Sequence, residues 1–195
     1  MSSSTRAAFV SLAVSLATVV GAAAQFGVPL NRSDLKLEPA TVREMVARYC
    51  RTDYAGARLN PADWPKLQPL VAWRANPDYT LYMVTSRFDV ESEVVPEHGR
   101  YVVTVHYRLL GKYDLAEGYS QESANQVEEV QFVVTETNGD WRIAEAEPSY
   151  PHPSRASALQ WLDKKLADEK DPMSKTIYQH AIEKLQSQKS APLPQ

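Results

Sequence analysis

Four histidines, His98, His106, His152 and His180, and one cysteine, Cys50, are the side chains best suited to catalysis or metal ligation, and their spacing sets the first limits. The histidines lie far apart, no H-E-x-x-H occurs, and a single thiol cannot build a thiolate site, so no metal is expected. Neither phosphate-cradling pattern, G-x-x-x-x-G-K-[ST] or G-x-G-x-x-G, is present, and no G-x-S-x-G elbow marks a serine hydrolase, so no cofactor is expected either. Acid–base chemistry is less demanding, because two or three side chains without fixed spacing suffice. His106 shares one side of an extended run with Thr104 and Arg108. An imidazole beside a cationic Arg108 has lowered proton affinity and could serve as a base. The competing reading makes that polar side the solvated face of a sheet, since Tyr101, Val103, Val105 and Tyr107 opposite form the better core. Asp53 and Tyr54 pair a carboxylate with a phenol at the end of a helix, an arrangement that could run proton abstraction, although a helix-end Asp followed by Tyr is usually only surface and packing. Glu128 and Glu129 are adjacent in a strand and point to opposite faces, which removes them as a paired acid and base.

Trp73, Tyr82, Tyr107 and Trp141 each combine a large apolar area with a polar tip, the lining preferred by small-molecule pockets and also the filling of small sheet cores. Cys50 falls on an apolar helix stripe, where a lone thiol behaves as a small hydrophobe; an intermolecular bridge is the alternative.

The elements that must position these residues follow from periodicity. Thr41 and Glu44 form a T-x-x-E capping box, and Val42, Met45, Val46, Tyr49 and Cys50 recur at helical spacing until Gly56. Asn60, Pro61 and Asp63 start a short second helix carrying Trp64, Leu67 and Leu70. Tyr79 to Val95 reads as a strand with Tyr82, Val84, Phe88 and Val90 on one face; after the turn at Pro96–Gly99, Tyr101 to Leu109 alternates cleanly. Gly111 to Gln126 is polar and reads as a loop bordering a site. A second hairpin turns at Asn138-Gly139, with Val130, Phe132 and Val134 inward on one arm and Trp141, Ile143 and Glu145 sharing a face of the other. Pro148, Pro151 and Pro153 end the sheet, Ser154 caps a helix through Leu159, Trp161, Leu162 and Leu166, and Asp171-Pro172 starts another.

The first 24 residues have the form of a cleavable secretory signal: Arg6, an apolar run from Ala7 to Val20, and Ala22-Ala23-Ala24 before Gln25. Export to the periplasm or the medium is expected, with no membrane attachment after cleavage. Removing that segment leaves 20 of the 21 basic residues against 24 acidic ones, a balance that disfavours nucleic acid and anionic membrane surfaces. The organisation expected is a signal peptide over 1–24, an extended lead-in over 25–40, a domain over 41–153, a C-terminal helical extension over 154–186, and a disordered tail over 187–195.

Two opening helices followed by long antiparallel hairpins, the last turning through "ETNGDWRIAE", resemble the nuclear transport factor 2-like superfamily over about residues 41–147. The resemblance implies an α+β fold in which N-terminal helices pack on a strongly curved, cone-like antiparallel sheet, here followed by C-terminal helices that could plug the cone mouth or pair two copies. It also implies that the end of the first helix, with Asp53 and Tyr54, lies near a pocket. Superfamily members include isomerases, dehydratases, cyclases and binding modules, so the fold does not fix the chemistry. Three functions are compatible with these residues: a non-enzymatic module binding a small apolar molecule or a protein; a cofactor-free enzyme of isomerase, dehydratase or hydrolase type; and an assembly protein forming a homodimer through its C-terminal helices.

Overall fold

The computed structural model describes residues 37–97, 99–123 and 126–188. The expected signal segment, most of the lead-in, His98 and residues 189–195 of the tail lie outside the described residues.

Helix α1 runs over Pro39–Tyr54, three residues earlier than the capping-box reading, with Glu38 and not Thr41 at the cap. Pro39 presets the helical φ at the first position, and Thr41 N–H already donates to Glu38 O at 2.9 Å, so Thr41 is inside the helix rather than capping it. Glu44 bonds Arg51 instead of reaching back to an amide. The apolar stripe is as spaced: Val42, Val46, Tyr49 and Cys50 are buried, and the next position on the stripe is Asp53. Gly56, at φ +88°, ends the helix, and a Cβ there would stand 3.0 Å from Ser157 Cβ. Asn60 then caps a short 3-10 turn over Pro61–Lys66, its side chain accepting from Ala62 N–H at 3.3 Å. A second 3-10 turn covers Gln68–Leu70.

Five strands form an open antiparallel sheet in the order β1 (Leu81–Glu97), β2 (Arg100–Asp114), β4 (Val127–Thr137), β5 (Asp140–Glu147), with the short β3 (Gly118–Gln121) pairing the far end of β2. The fold is therefore α+β, with α2 (Arg155–Asp168) and α3 (Pro172–Ser187) following the sheet. Ser154 and Asp171 cap those helices, accepting from Ser157 N–H and Ser174 N–H at 3.1 and 2.7 Å.

Bulges correct the sequence reading of two strands. Register shifts between Val84 and Arg87 rotate β1, so that Tyr82 and Val84 enter one core while Phe88 and Val90 pack against another. A shift opposite Val133 and Val134 does the same to β5: Ile143 and Ala146 are buried, and Glu145 is exposed. The polar stretch 111–126 is not all loop, since residues 111–114 end β2 and 118–121 form β3. Gly111 permits this, because a Cβ there would lie 2.1 Å from Tyr119 Oη, and that hydroxyl donates to Leu110 O at 3.1 Å.

Two cores result. The first lies between α1 and the sheet and contains Val42, Tyr49, Tyr107, Phe132 and Ile143; the second lies between the far end of the β1–β2 hairpin and α2–α3 and contains Tyr82, Tyr113, Leu162 and Leu185. The C-terminal helices thus complete the fold, since each fully buried large side chain they cover contributes about 1.5–3 kcal/mol.

Candidate functional site

Helical spacing brings a carboxylate into the first core. Asp53 follows Tyr49 and Cys50 at i+4 and i+3, so the stripe that buries those residues buries it as well. Its Oδ2 accepts from His152 N–H at 2.9 Å. Desolvation is the largest influence on this group and pushes its pKa up; the nearby Arg58 guanidinium and the bond from His152 N–H oppose the shift without cancelling it. Arg58, itself buried, donates from Nε to Asn76 Oδ1 at 3.0 Å and from Nη1 to Tyr49 Oη at 3.5 Å. Among the described residues, Asp53 Oδ1 and Arg58 Nη2 have no hydrogen-bond partner.

His152 is the hub of this cluster. Its ring stacks on Tyr107 with centroids 4.0 Å apart, and its Nε2 lies 2.9 Å from Glu128 Oε2. Tyr150 donates its hydroxyl to the other oxygen of Glu128. Behind the stack, Tyr107 Oη donates to Cys50 Sγ at 3.1 Å, and burial pushes the Cys50 thiol up to about 12. Such a thiol is a packing group and not a nucleophile at neutral pH. The segment carrying His152 is held along the open edge of β1 by Met83 N–H to Pro151 O at 3.0 Å and Thr85 N–H to Pro153 O at 2.9 Å.

The residues singled out from the sequence are only partly brought together. Asp53 and Tyr107 meet around His152, and Trp73 joins them through an edge contact with Tyr49 at 6.3 Å. Tyr54 points away, donating to Ser86 O at 2.7 Å beside Phe88. His106 is on the other face of the sheet, in an exposed pair with Glu91 at 2.7 Å. Trp141 packs on Tyr101, and Tyr82 stacks on Tyr113 in the second core. His152 and Glu128 were weighed from the sequence only as a metal ligand and as a partner of Glu129 and set aside, and Arg58 carried no signal at all. Glu128 does point opposite to Glu129, as alternation requires, and its partner comes from a segment with no period to reveal it.

A cleft of about 250 Å³ opens where α1 ends and α2 begins. Ala55, Gly56 and Leu59 form one side, the Asn60–Asp63 turn a second, and Trp161 with Lys164 a third. Trp161 is fixed by edge contacts with Tyr82 at 5.5 Å and Tyr113 at 5.8 Å, and the Lys165 ammonium lies 5.4 Å from its ring centroid. Asp63 is held below its usual carboxylate range chiefly by the bond from Lys66.

Among the described residues no group of three or more His, Cys, Asp or Glu side chains could hold a metal ion, and no helix is long and apolar enough to cross a membrane. Comparison of the chain with protein-family models, with curated proteins and with solved structures found no match.

Proposed function

We propose that the protein is an exported, non-enzymatic binding module of nuclear transport factor 2-like shape that holds a small ligand in the cleft between the end of α1 and α2. One observation carries the reading. The space between α1 and the sheet is filled by the protein's own rings, with Tyr49, Tyr107 and Phe132 all buried, whereas the cleft beside Trp161 is open and has a rigid aromatic wall. The order of elements, a helix laid on an antiparallel sheet bent by bulges, supports the superfamily likeness, and the pattern of residues 1–24 supports export.

The test is native mass spectrometry of the protein isolated from the medium or periplasm of producing cells. A chain starting at Gln25, with a small-molecule adduct that Trp161→Ala abolishes, is the expected result. An adduct indifferent to Trp161, or retention of residues 1–24 in the exported protein, would contradict the corresponding half of the proposal.

The second reading, an acid–base enzyme, is favoured by the His152–Glu128 pair, in which Glu128 is part-exposed and so reaches toward solvent. In that case the base is Glu128 or His152, and neither His106 nor Tyr54 takes part. His152→Gln would then abolish turnover of an identified substrate while leaving ligand affinity in the Trp161 cleft unchanged.

A further inference from the structure

The cleft beside Trp161 also indicates what chemistry its occupant should have; this step rests on the reading of that cleft as the ligand site. Its apolar wall is Leu59 and Trp161, both anchored in the second core. Its charged groups divide into committed and uncommitted ones. Asp63 accepts from Asn60 Nδ2 at 2.9 Å and pairs with Lys66 at 2.5 Å, so its carboxylate is occupied. The Lys165 ammonium lies over the Trp161 ring.

Lys164 and Asp168 differ from these. They stand one turn apart on α2, both are exposed and line the cleft, and neither makes an ion pair among the described residues; Lys164 influences Asp63 only through its field. A cation placed N-terminal to an acid at i,i+4 is the poorer orientation for a helix pair, which leaves both heads available. The cleft thus presents one positive head, one negative head and an apolar surface within a single small volume. At about 250 Å³ it is smaller than the roughly 300 Å³ at which drug-sized pockets begin, so the occupant has few heavy atoms.

We propose that the cleft takes a small zwitterion of the α-amino-acid type with an apolar side chain. The carboxylate faces Lys164, the ammonium faces Asp168, and the side chain lies against Trp161 and Leu59. Because a cation already covers the Trp161 ring, the ligand's ammonium gains little by stacking there and is directed to the carboxylate instead.

Three probes of one skeleton separate the contributions: L-phenylalanine, phenethylamine, which lacks the carboxylate, and hydrocinnamate, which lacks the ammonium. Binding to the full chain is followed by the shift of the Trp161 indole N–H resonance, assigned with Trp161→Phe. L-Phenylalanine should bind about two- to fivefold more tightly than either analogue, the span expected for one solvent-exposed ion pair. Lys164→Gln should weaken L-phenylalanine and hydrocinnamate but not phenethylamine, and Asp168→Asn should weaken L-phenylalanine and phenethylamine but not hydrocinnamate. Both positions are exposed, so neither variant threatens the fold. Equal affinities for the three probes, or variants that change none of them, would overturn the zwitterion assignment while the Trp161 shift left the small-ligand reading standing. If no probe moves that resonance and the isolated protein carries no adduct, both fail together.

Discussion

Replacing Asp53 by Asn gives a stability change whose sign can be worked out from the first core. The carboxylate is wholly buried, and desolvation outweighs the favourable field of Arg58 and the bond from His152 N–H, so its folded pKa is raised above the unfolded value near 3.8. Between those two values the folded protein retains a proton that the unfolded chain has released. Stability therefore falls as pH climbs through that window, by up to about 1.4 kcal/mol per pH unit for one proton, and stays at the lower level above it. Asn removes the charge and keeps an oxygen that accepts from His152 N–H. Asp53→Asn should match the wild type at the acid end of the window and exceed it at pH 7–8. Asp53→Ala should behave differently, because it leaves the His152 amide unpaired in the interior at a cost of about 1–3 kcal/mol. Urea unfolding of the three proteins from pH 4 to 8 supplies the difference curves. If Asp53→Asn is as destabilised at pH 7 as Asp53→Ala, the Arg58 field governs the site and the reasoning is wrong.

Gly111→Ala places a Cβ 2.1 Å from Tyr119 Oη and 2.5 Å from Ser120 O, so β3 must shift; about 1–3 kcal/mol should be lost, a fall in Tm of about 2–4 °C per kcal/mol followed by circular dichroism. Cys50 is fully buried with its thiol pushed up to about 12, so iodoacetamide should label it only as fast as the protein opens, and labelling of the folded state at the rate of a free thiol would contradict its placement. His106→Gln breaks only an exposed pair with Glu91, so it should change stability by less than about 1 kcal/mol and leave probe binding unaltered, as calorimetry would show.

What was legible in the sequence is what depends on neighbours along the chain. The alternation from Tyr101 to Leu109 reports the buried face of β2 correctly, Asn138 and Gly139 adopt the positive φ angles of 54° and 86° that their hairpin requires, and Asn60, Ser154 and Asp171 cap the elements they precede. Bulges were not legible, because one extra residue reverses every later assignment within a strand and leaves no compositional mark; Tyr82 against Phe88 and Ile143 against Glu145 show the effect. The polar cluster was hidden for a different reason. Asp53 and His152 are 99 positions apart, and they meet only because Pro151 to Pro153 lie along the edge of β1 with no hydrophobic period of their own. In the same way, α1 started at Pro39 because a proline that can open a helix prevailed over a capping box two residues downstream.

Where a ligand settles decides between the Trp161 cleft and the His152 cluster. A crystal of the protein soaked with L-phenylalanine, and separately with a mixture of small uncharged fragments, locates it directly. Density against Trp161 and Leu59 at the junction of α1 and α2 is the predicted outcome. Density beside His152 and Glu128, with the Trp161 cleft holding only solvent, would contradict the account and shift the function to the buried acid–base pair.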